Sequence, residues 1–526
     1  MASIYNIFNR SVEEYPNNIC LVKGDVKLTY HEVERLTDGL YKLINQVRSG
    51  DLVGVLSSKS IVAYTSILAV LRSGRGYVPI NPKFPIAKNK AIIESSGIET
   101  IIVDSESLDL VKELFGDGDF NIIFPNNTKN DVEVLKLAAH LNSYTNEDIE
   151  SLNKADAVTT TLATDVAYLL FTSGSTGVPK GVPVLHKNVL SYLDSIFQIY
   201  DFKPSDRFSQ VFDFTFDLSV HDMFVCFKAG GSLCIPPEYI SPISYIRGHE
   251  LTVWFSVPSL IHLMKKSRAL KENYFPSLRW SLFCGEPLPL NLAIAWQKSA
   301  SNSFVENIYG PTEATIGISN HRLSASETPK SHLNFVSIGK IFSSQAYCIL
   351  DEDGNEAKFG EPGELYLAGD QIVDGYWRSP TLTSQKFVIL PEKGGMVWYN
   401  TGDIVMKDHD GDLFYISRKD FQVKIRGYRV ELEEINSVIR SFLNTDLVIS
   451  IPYSEEDSLN EGIHSFVEGV DSELHNDIIE ECQRRLVSFM VPEKIHFLKQ
   501  FPLNSNGKID RNQLLHLILV ERSTIP

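Results

Sequence analysis

Through roughly the first 400 residues, short apolar runs bounded by turn residues alternate with stretches whose apolar positions recur every three or four residues. "TVWFSV" from Thr252 and "RWSLFCGE" from Arg279 read as buried strands. "LSYLDSIFQIY" from Leu190 and "LPLNLAIAWQKS" from Leu288 read as amphipathic helices. Such alternation predicts an α/β fold with parallel sheet. "IVAYTSILAVL", Ile61 to Leu71, is the longest apolar run. It is too short to cross a bilayer and predicts a buried helix. The pattern changes near Lys407, where a hairpin-like "KDHDGDLFYISRKDFQVKI" precedes a charged helix, "VELEEINSVIRSFL", and strand-like "TDLVISIPYS". A small C-terminal domain is expected from about Asp420. Upstream, the polar stretch "NSYTNEDIESLNKAD" separates an N-terminal block from the next apolar strand. "DEDGNE" at Asp351 and "DHDGD" at Asp408 place Gly fourth rather than sixth and lack the distal Glu of a calcium loop, so they are expected to be turns.

Composition adds bounds. The chain has 526 residues, 43% hydrophobic, with a net charge of −17. That balance argues against a nucleic-acid partner, which needs a basic footprint. The six cysteines form no C-x-x-C pair, and no signal peptide or membrane span is visible, so a cytoplasmic protein with reduced thiols is expected.

"YLLFTSGSTGVPKGVPV", Tyr168 to Val184, is the most chemical stretch. An apolar strand runs into a turn rich in Gly, Ser and Thr, followed by one lysine. Glycines let successive N–H groups point inward, and hydroxyls add donors, which makes an anion cradle. Its donors would be the backbone around Gly174 and Gly177 and the side chains of Thr172, Ser173, Ser175 and Thr176, with Lys180 supplying charge. It is not the Gly-x-x-x-x-Gly-Lys-Ser/Thr loop of the common nucleotidases.

"FTSGSTGVPKGV" resembles the phosphate loop of the adenylate-forming superfamily, which includes acyl-CoA synthetases, luciferase-like enzymes and the adenylation domains of nonribosomal peptide synthesis. The resemblance covers nearly the whole chain in the right order. "LTYHEV" at Leu28, "LRSGRGYVPINP" at Leu71, "NIYGPTEATIG" at Asn307 and "GELYLAGDQIVDGYW" at Gly363 are similar to that family's motifs. So are "YNTGD" at Tyr399, "SRKDFQVKIRGYRVELEEI" at Ser417 and "NSNGKIDR" at Asn504. It implies a large N-terminal domain, 1–419, of sheets with packed helices, and a small mobile α+β domain, 420–526. The implied reaction joins a carboxylate to the α-phosphate of ATP and expels pyrophosphate.

By that resemblance Tyr309 stacks on adenine, Thr312 reaches the α-phosphate, and Asn307 and Gly310 complete the nucleotide motif. Asp403 accepts from the ribose hydroxyls and Arg418 approaches the same sugar. Glu313 is the implied Mg²⁺ ligand, since Mg²⁺ takes a carboxylate with phosphate oxygens and water. Lys508 is the implied catalytic lysine of adenylation, a compact charge on a flexible stem. Asp420 marks the hinge about which the small domain swings to present the "KIRGYRVE" face for a second half-reaction. Ser417 departs from the glycine that commonly precedes the arginine.

"FDFTFDLSVHDMF" from Phe212 resembles the motif of amino-acid-activating members, in which an Asp binds the substrate ammonium. Asp217 holds that position; as a plain sequence feature it would be a helix N-cap. His221 lies one turn on, at the pocket wall. By register with the family, Leu218, Phe255, Leu282, Cys284, Ile308, Ile316 and Gly317 line the rest. These walls are apolar and disfavour a charged side chain, so a small neutral amino acid is expected. "FCGE" with "FDLS" resembles D-alanine:carrier-protein ligases. Phe255, Leu282 and Ile308 resemble stand-alone proline-activating enzymes, and L-proline is favoured. The implied acceptor is the phosphopantetheine thiol of a carrier protein, or coenzyme A. Ser458 in "EDSLNE" resembles a carrier attachment site but lies upstream of Lys508, so it is expected to be a loop residue and the carrier a separate protein. Asp217 argues against an acyl- or aryl-CoA ligase, and Lys508, Glu313, Asp403 and the phosphate loop together argue against a relative that binds nucleotide without turnover.

Overall fold

The computed structural model describes residues 3–47, 50–116, 118–133, 135–137, 141–152, 166–172, 174, 179–237, 240–323, 329–390, 393–420, 422–454, 459, 462–470, 472–502 and 509–523. The chain divides into two compact units. The first holds residues 1–82, 92–171 and 181–417; the second holds 83–91, 172–180 and 418–526.

Among the described residues, the first unit carries a nine-stranded, a seven-stranded and a five-stranded sheet and a two-stranded ribbon, Ser331–His332 with Phe335–Val336. A nine-stranded sheet contains the strands Ile19–Lys23, Arg207–Ser209, Ser232–Ile235, Val253–Ser256, Trp280–Phe283 and Phe304–Tyr309 as its parallel middle, with antiparallel strands at both ends. A seven-stranded sheet runs in the order Asn142–Thr145, Asn121–Phe124, Thr100–Val103, Leu52–Leu56, Gly76–Ile80, Val166–Thr172 and Lys180–Leu185. Its pairings from Asn142–Thr145 through Val166–Thr172 are parallel. The strand–helix alternation in the sequence dictates this, because a parallel pair needs a crossover that a helix supplies. A five-stranded antiparallel sheet carries Pro362–Ala368 and Val397–Lys407.

Local chemistry sets the boundaries. The helix Ile61–Arg72 begins where the Ser60 hydroxyl accepts from Ala63 N–H, and residues 62–71 are all buried. Thr29 and Glu32 form a reciprocal capping box at the start of the helix Tyr30–Gln46. The helix Leu218–Ala229 stops at Gly230, whose φ of +71° is left-handed and where a Cβ would run into the Tyr15 ring. The polar stretch expected only to separate two blocks is in part structured. Asn142–Thr145 is the edge strand of the seven-stranded sheet, and Thr145 with Asp148 caps a short helix behind it. An edge strand can be polar because its outer side meets no second strand. Residues 153–165 lie outside the described residues.

The second unit is α+β. The strands Val448–Tyr453, Gly462–Glu468 and Lys494–Leu498 form a sheet buried on both faces. Val448, Ile463, Val467 and Ile495 pack with Ile435 and Ile439 of the helix Leu432–Leu443. Ile451, Tyr453 and Phe466, of opposite parity, pack with Leu514 and Ile518 of the helix Arg511–Ser523. The two Asp-rich stretches are turns: Asp351 Oδ1 accepts from the N–H groups of Asp353 and Asn355, and Asp408 Oδ1 from those of Asp410 and Asp412. All six cysteines are buried and unpaired with one another. Among the described residues no helix is long and apolar enough to cross a membrane.

Candidate active site

The phosphate-loop segment starts where the strand Val166–Thr172 ends. Thr172 Oγ1 donates to the Lys180 carbonyl at 3.5 Å, closing the neck of the loop. Within the second unit the Gly174 N–H meets the carboxylate of Glu434. Glu434 also takes the Lys88 ammonium at 2.8 Å, and its pKa is raised by burial against the pull of Lys88. Lys88 and Glu434 carry no signal in the sequence, since nothing local marks a pair 346 positions apart. Ser173, Ser175, Thr176 and Gly177 lie outside the described residues, as do Lys508 and Ser458. Arg418 is committed to Asp420 through a forked pair at 2.7 and 2.8 Å, and Asp420 also accepts from Gln422 N–H.

The remaining residues that the resemblance assigns to the nucleotide sit in the first unit, at the end of the strand Phe304–Tyr309 and beyond it. Tyr309 Oη donates to Asp403 Oδ2 at 2.5 Å. Asp403 N–H donates to Thr401 Oγ1, which itself donates to the Leu365 carbonyl, so the "NTGD" turn is braced from its own sheet. Asn307 is buried and donates to the carbonyls of Val336 and Ser337, a clip between strands rather than a group pointing outward. Thr312 is half-buried on a short 3-10 turn, and Glu313 beside it is fully buried.

The 310–317 loop doubles back tightly. Thr315 and Ile316 are consecutive left-handed residues, φ +56° and +73°, an uncommon conformation for two β-branched side chains. Gln371 holds them there, accepting Thr315 Oγ1 on its carbonyl at 2.6 Å and donating its amide to the carbonyls of Gly317 and Ala314. The turn brings two backbones together at Gly310 and Gly317. A Cβ on Gly310 would lie 2.7 Å from Gly317 Cα, and one on Gly317 would lie 2.5 Å from Ile308 Cγ2. Both positions therefore need glycine. Gln371 falls in "GELYLAGDQIVDGYW", which the sequence marks as a family motif without singling out this residue.

Sheet register gathers the apolar wall. Phe255 is opposite Leu282, and Leu282 opposite Glu306, in adjacent parallel strands. Side chains two positions apart share a face. Phe255, Leu282, Cys284 and Ile308 therefore project from one face of the nine-stranded sheet. Leu218, Phe255, Leu282, Cys284, Ile308 and Ile316 are all buried. Asp217 precedes the helix Leu218–Ala229 and makes no N-capping bond to it, so the capping role open to it in the sequence is not the one it plays. It is 7% exposed, and its charge adds to burial in keeping the Tyr77 and Tyr168 phenols protonated. One turn on, His221 Nδ1 is 2.6 Å from Tyr192 Oη, and its ring lies 4.3 Å from that of Phe255. Burial pushes the His221 pKa down to about 3, so the imidazole is neutral. Tyr77, Tyr168 and Tyr192 do not stand out in the sequence; each sits in an apolar run that reads as ordinary core.

Glu313 suits a Mg²⁺ ion that also binds phosphate oxygens and water. It is a single carboxylate, with Oε1 oriented by the Tyr376 hydroxyl at 2.7 Å. Among the described residues, Asp408, Asp410 and Asp412 form the group of three close carboxylates, and the Lys330 ammonium lies among them at 3.0, 2.7 and 2.6 Å.

Residues 8–377 match the AMP-binding family, described as AMP-binding enzyme. Gramicidin S synthase 1 of Brevibacillus brevis is 30% identical over 525 residues, 97% of this chain and 44% of that protein. The D-alanine--D-alanyl carrier protein ligase of Bacillus licheniformis is 28% identical over 521 residues, covering 96% of this chain and 97% of the ligase. The Vibrio cholerae adenylation domain AlmE, solved in complex with glycyl-adenosine-5'-phosphate, superposes with a TM-score of 0.88 at 30% identity, covering 99% of this chain and 98% of that one. The chain spans less than half the length of gramicidin S synthase 1, and only 8% of tyrocidine synthase 3 of Brevibacillus parabrevis. With the match running through the motifs from the early helices to the residues around Glu313, the chain belongs to the AMP-binding enzyme family, as an adenylate-forming member of the adenylation-domain type.

Proposed function

We propose that this chain activates a small neutral amino acid with ATP and passes it to the phosphopantetheine thiol of a separate carrier protein. In the first step a carboxylate oxygen of the amino acid attacks the α-phosphorus, the bond to pyrophosphate breaks, and an aminoacyl adenylate forms. In the second a thiol attacks the acyl carbon, a thioester forms, AMP leaves and the thiol proton goes to solvent. Two anions meet in the first step, so fixed positive charge lowers the barrier. Lys180 and Lys508 are the cations assigned to that task. Asp403 and Tyr309 hold the nucleoside. Glu313 would hold Mg²⁺, which supplies charge neutralisation on the phosphates. A cytoplasmic setting fits the six unpaired thiols.

The observation that carries this reading is Asp217. A buried carboxylate, 7% exposed and one turn from a histidine packed on Phe255, is a fitting partner for an ammonium. An acyl or aryl acid has no group for it.

L-Proline is the substrate favoured by Phe255, Leu282 and Ile308, whose apolar surface suits a ring of methylenes. A second reading, glycine or D-alanine, is favoured by the closure of the recess. Phe255, Leu282 and Cys284 have no exposed surface and His221 only 1%. AlmE, with glycyl adenylate, and the D-alanine ligase carry names of substrates of that size. The test is exchange of pyrophosphate into ATP with L-proline, D- and L-alanine, glycine, serine and valine offered singly. Exchange with one small amino acid supports the reading and names the substrate. Absence of exchange with every amino acid, in protein that binds ATP, overturns it.

A further inference from the structure

Asp217 is delivered by residues 210–217, which connect the strand Arg207–Ser209 to the helix Leu218–Ala229 and have no ladder of their own. Backbone groups that lack a ladder must be met some other way. Here they are met by side chains from distant parts of the first unit. Lys59, in the turn before the helix Ile61–Arg72, sends its ammonium to the Val211 carbonyl at 2.8 Å and the Gln210 carbonyl at 3.4 Å. Asp222, on the helix that Asp217 starts, is 1% exposed and takes the N–H groups of Val211 and Phe212. Val211 is thus gripped on its carbonyl by Lys59 and on its N–H by Asp222. Burial pushes the Asp222 carboxyl well above the usual carboxylate range, with the Lys59 charge and these two N–H groups pulling the other way. Asn81, just past the strand Gly76–Ile80, donates to Asp213 Oδ2 at 2.9 Å. The other Asp213 oxygen holds Thr215 through its N–H at 3.0 Å and its hydroxyl at 2.7 Å.

We propose that Lys59 is a positioning residue for substrate recognition: its ammonium, bound to the Gln210 and Val211 carbonyls and facing Asp222, clips the 210–217 segment and so fixes where the Asp217 carboxylate stands. This rests on the reading of Asp217 as the partner of the substrate ammonium. Removing the ammonium leaves two carbonyls of this one segment without their donor. The loss of Lys59 should therefore act on amino-acid binding and spare the nucleotide.

The experiment compares wild type, Lys59→Met and Lys59→Arg by backbone amide hydrogen exchange and by pyrophosphate exchange at varied amino acid and ATP. Lys59→Met is expected to speed exchange across 210–217 without changing the seven-stranded sheet, and to raise the amino-acid KM roughly ten- to hundredfold with the ATP KM unchanged. Lys59→Arg, which keeps the charge and the donors, is expected to restore most of both. If Lys59→Met does not fold, Lys59→Gln, which keeps a donor but not the charge, takes its place. Protection of 210–217 equal to wild type, or equal rises in both KM values, overturns the clip. Wild type that turns over without amino-acid dependence, with 210–217 still loosened in Lys59→Met, overturns the Asp217 reading and leaves the clip standing. A normal wild type with an unchanged segment in Lys59→Met does the reverse.

Discussion

The Tyr309 hydroxyl donates to the Asp403 carboxylate at 2.5 Å, tying the last residue of a nine-stranded-sheet strand to the "NTGD" strand of the five-stranded sheet. The two residues assigned to adenine and to ribose are thus set against each other. Asp403→Asn keeps a hydrogen-bonding group and removes the charge. The ATP KM should rise about tenfold or more, the worth of a charged hydrogen bond, while the amino-acid KM holds. Initial rates over a grid of both substrates check this.

Asp217→Asn leaves the segment and its clip intact and takes away the counter-charge for the substrate ammonium. An unpaired buried charge costs about 3–5 kcal/mol, so amino-acid-dependent exchange should fall by a factor of roughly 100 or more. ATP binding, followed by calorimetry, should be unchanged. Full activity in this variant would remove the amino-acid reading.

The His221 ring packs on Phe255 and is held by Tyr192. His221→Ala should deepen the recess and let valine or leucine compete, by the roughly 10- to 200-fold that one or two methylenes are worth in an apolar pocket. A substrate panel on the variant reads this directly.

His186 and His221 are both buried neutral. Burial pushes His186 down to about 4 and His221 down to about 3, from 6.5. Below pH 6.5 the unfolded chain takes up protons that the folded chain refuses. Their contribution to stability is therefore full above that pH, falls as pH falls through 6.5, and levels off only below the folded values. Carried that far, the loss from the two together is on the order of 8 kcal/mol, of which about 5 falls between pH 6.5 and about 4.5. Thermal melts taken in steps from about pH 7.5 to about 4.5 should show it, and His186→Gln should flatten the slope.

Lys508→Ala should cut amino-acid-dependent exchange by at least about 100-fold, the scale of one oriented charge at a developing negative centre. ATP affinity should change far less. A single-turnover assay of adenylate formation separates the two.

Much of this was legible in the chain itself. Continuous apolar runs placed strands such as Val253–Ser256 and helices such as Ile61–Arg72, because an element buried on every side is apolar throughout. The nucleotide residues were named only through the resemblance of the ordered motifs to the adenylate-forming family, since taken singly such Gly- and Asp-containing stretches read as turns. Asn142–Thr145 was not legible as a strand, since an edge strand need not be apolar.

Local pattern and motif order specify the family and the alternation of elements. Which partners hold the polar groups is a property of the folded molecule. That Asp217 does not cap its helix, that Gln371 braces the left-handed pair Thr315 and Ile316, and that Lys59 reaches across to Val211 are visible only there. The last two join residues far apart in the chain, and neither spacing nor composition encodes such distances. They follow from strand register and from the need to satisfy buried polar groups with whatever donors the packed elements bring alongside.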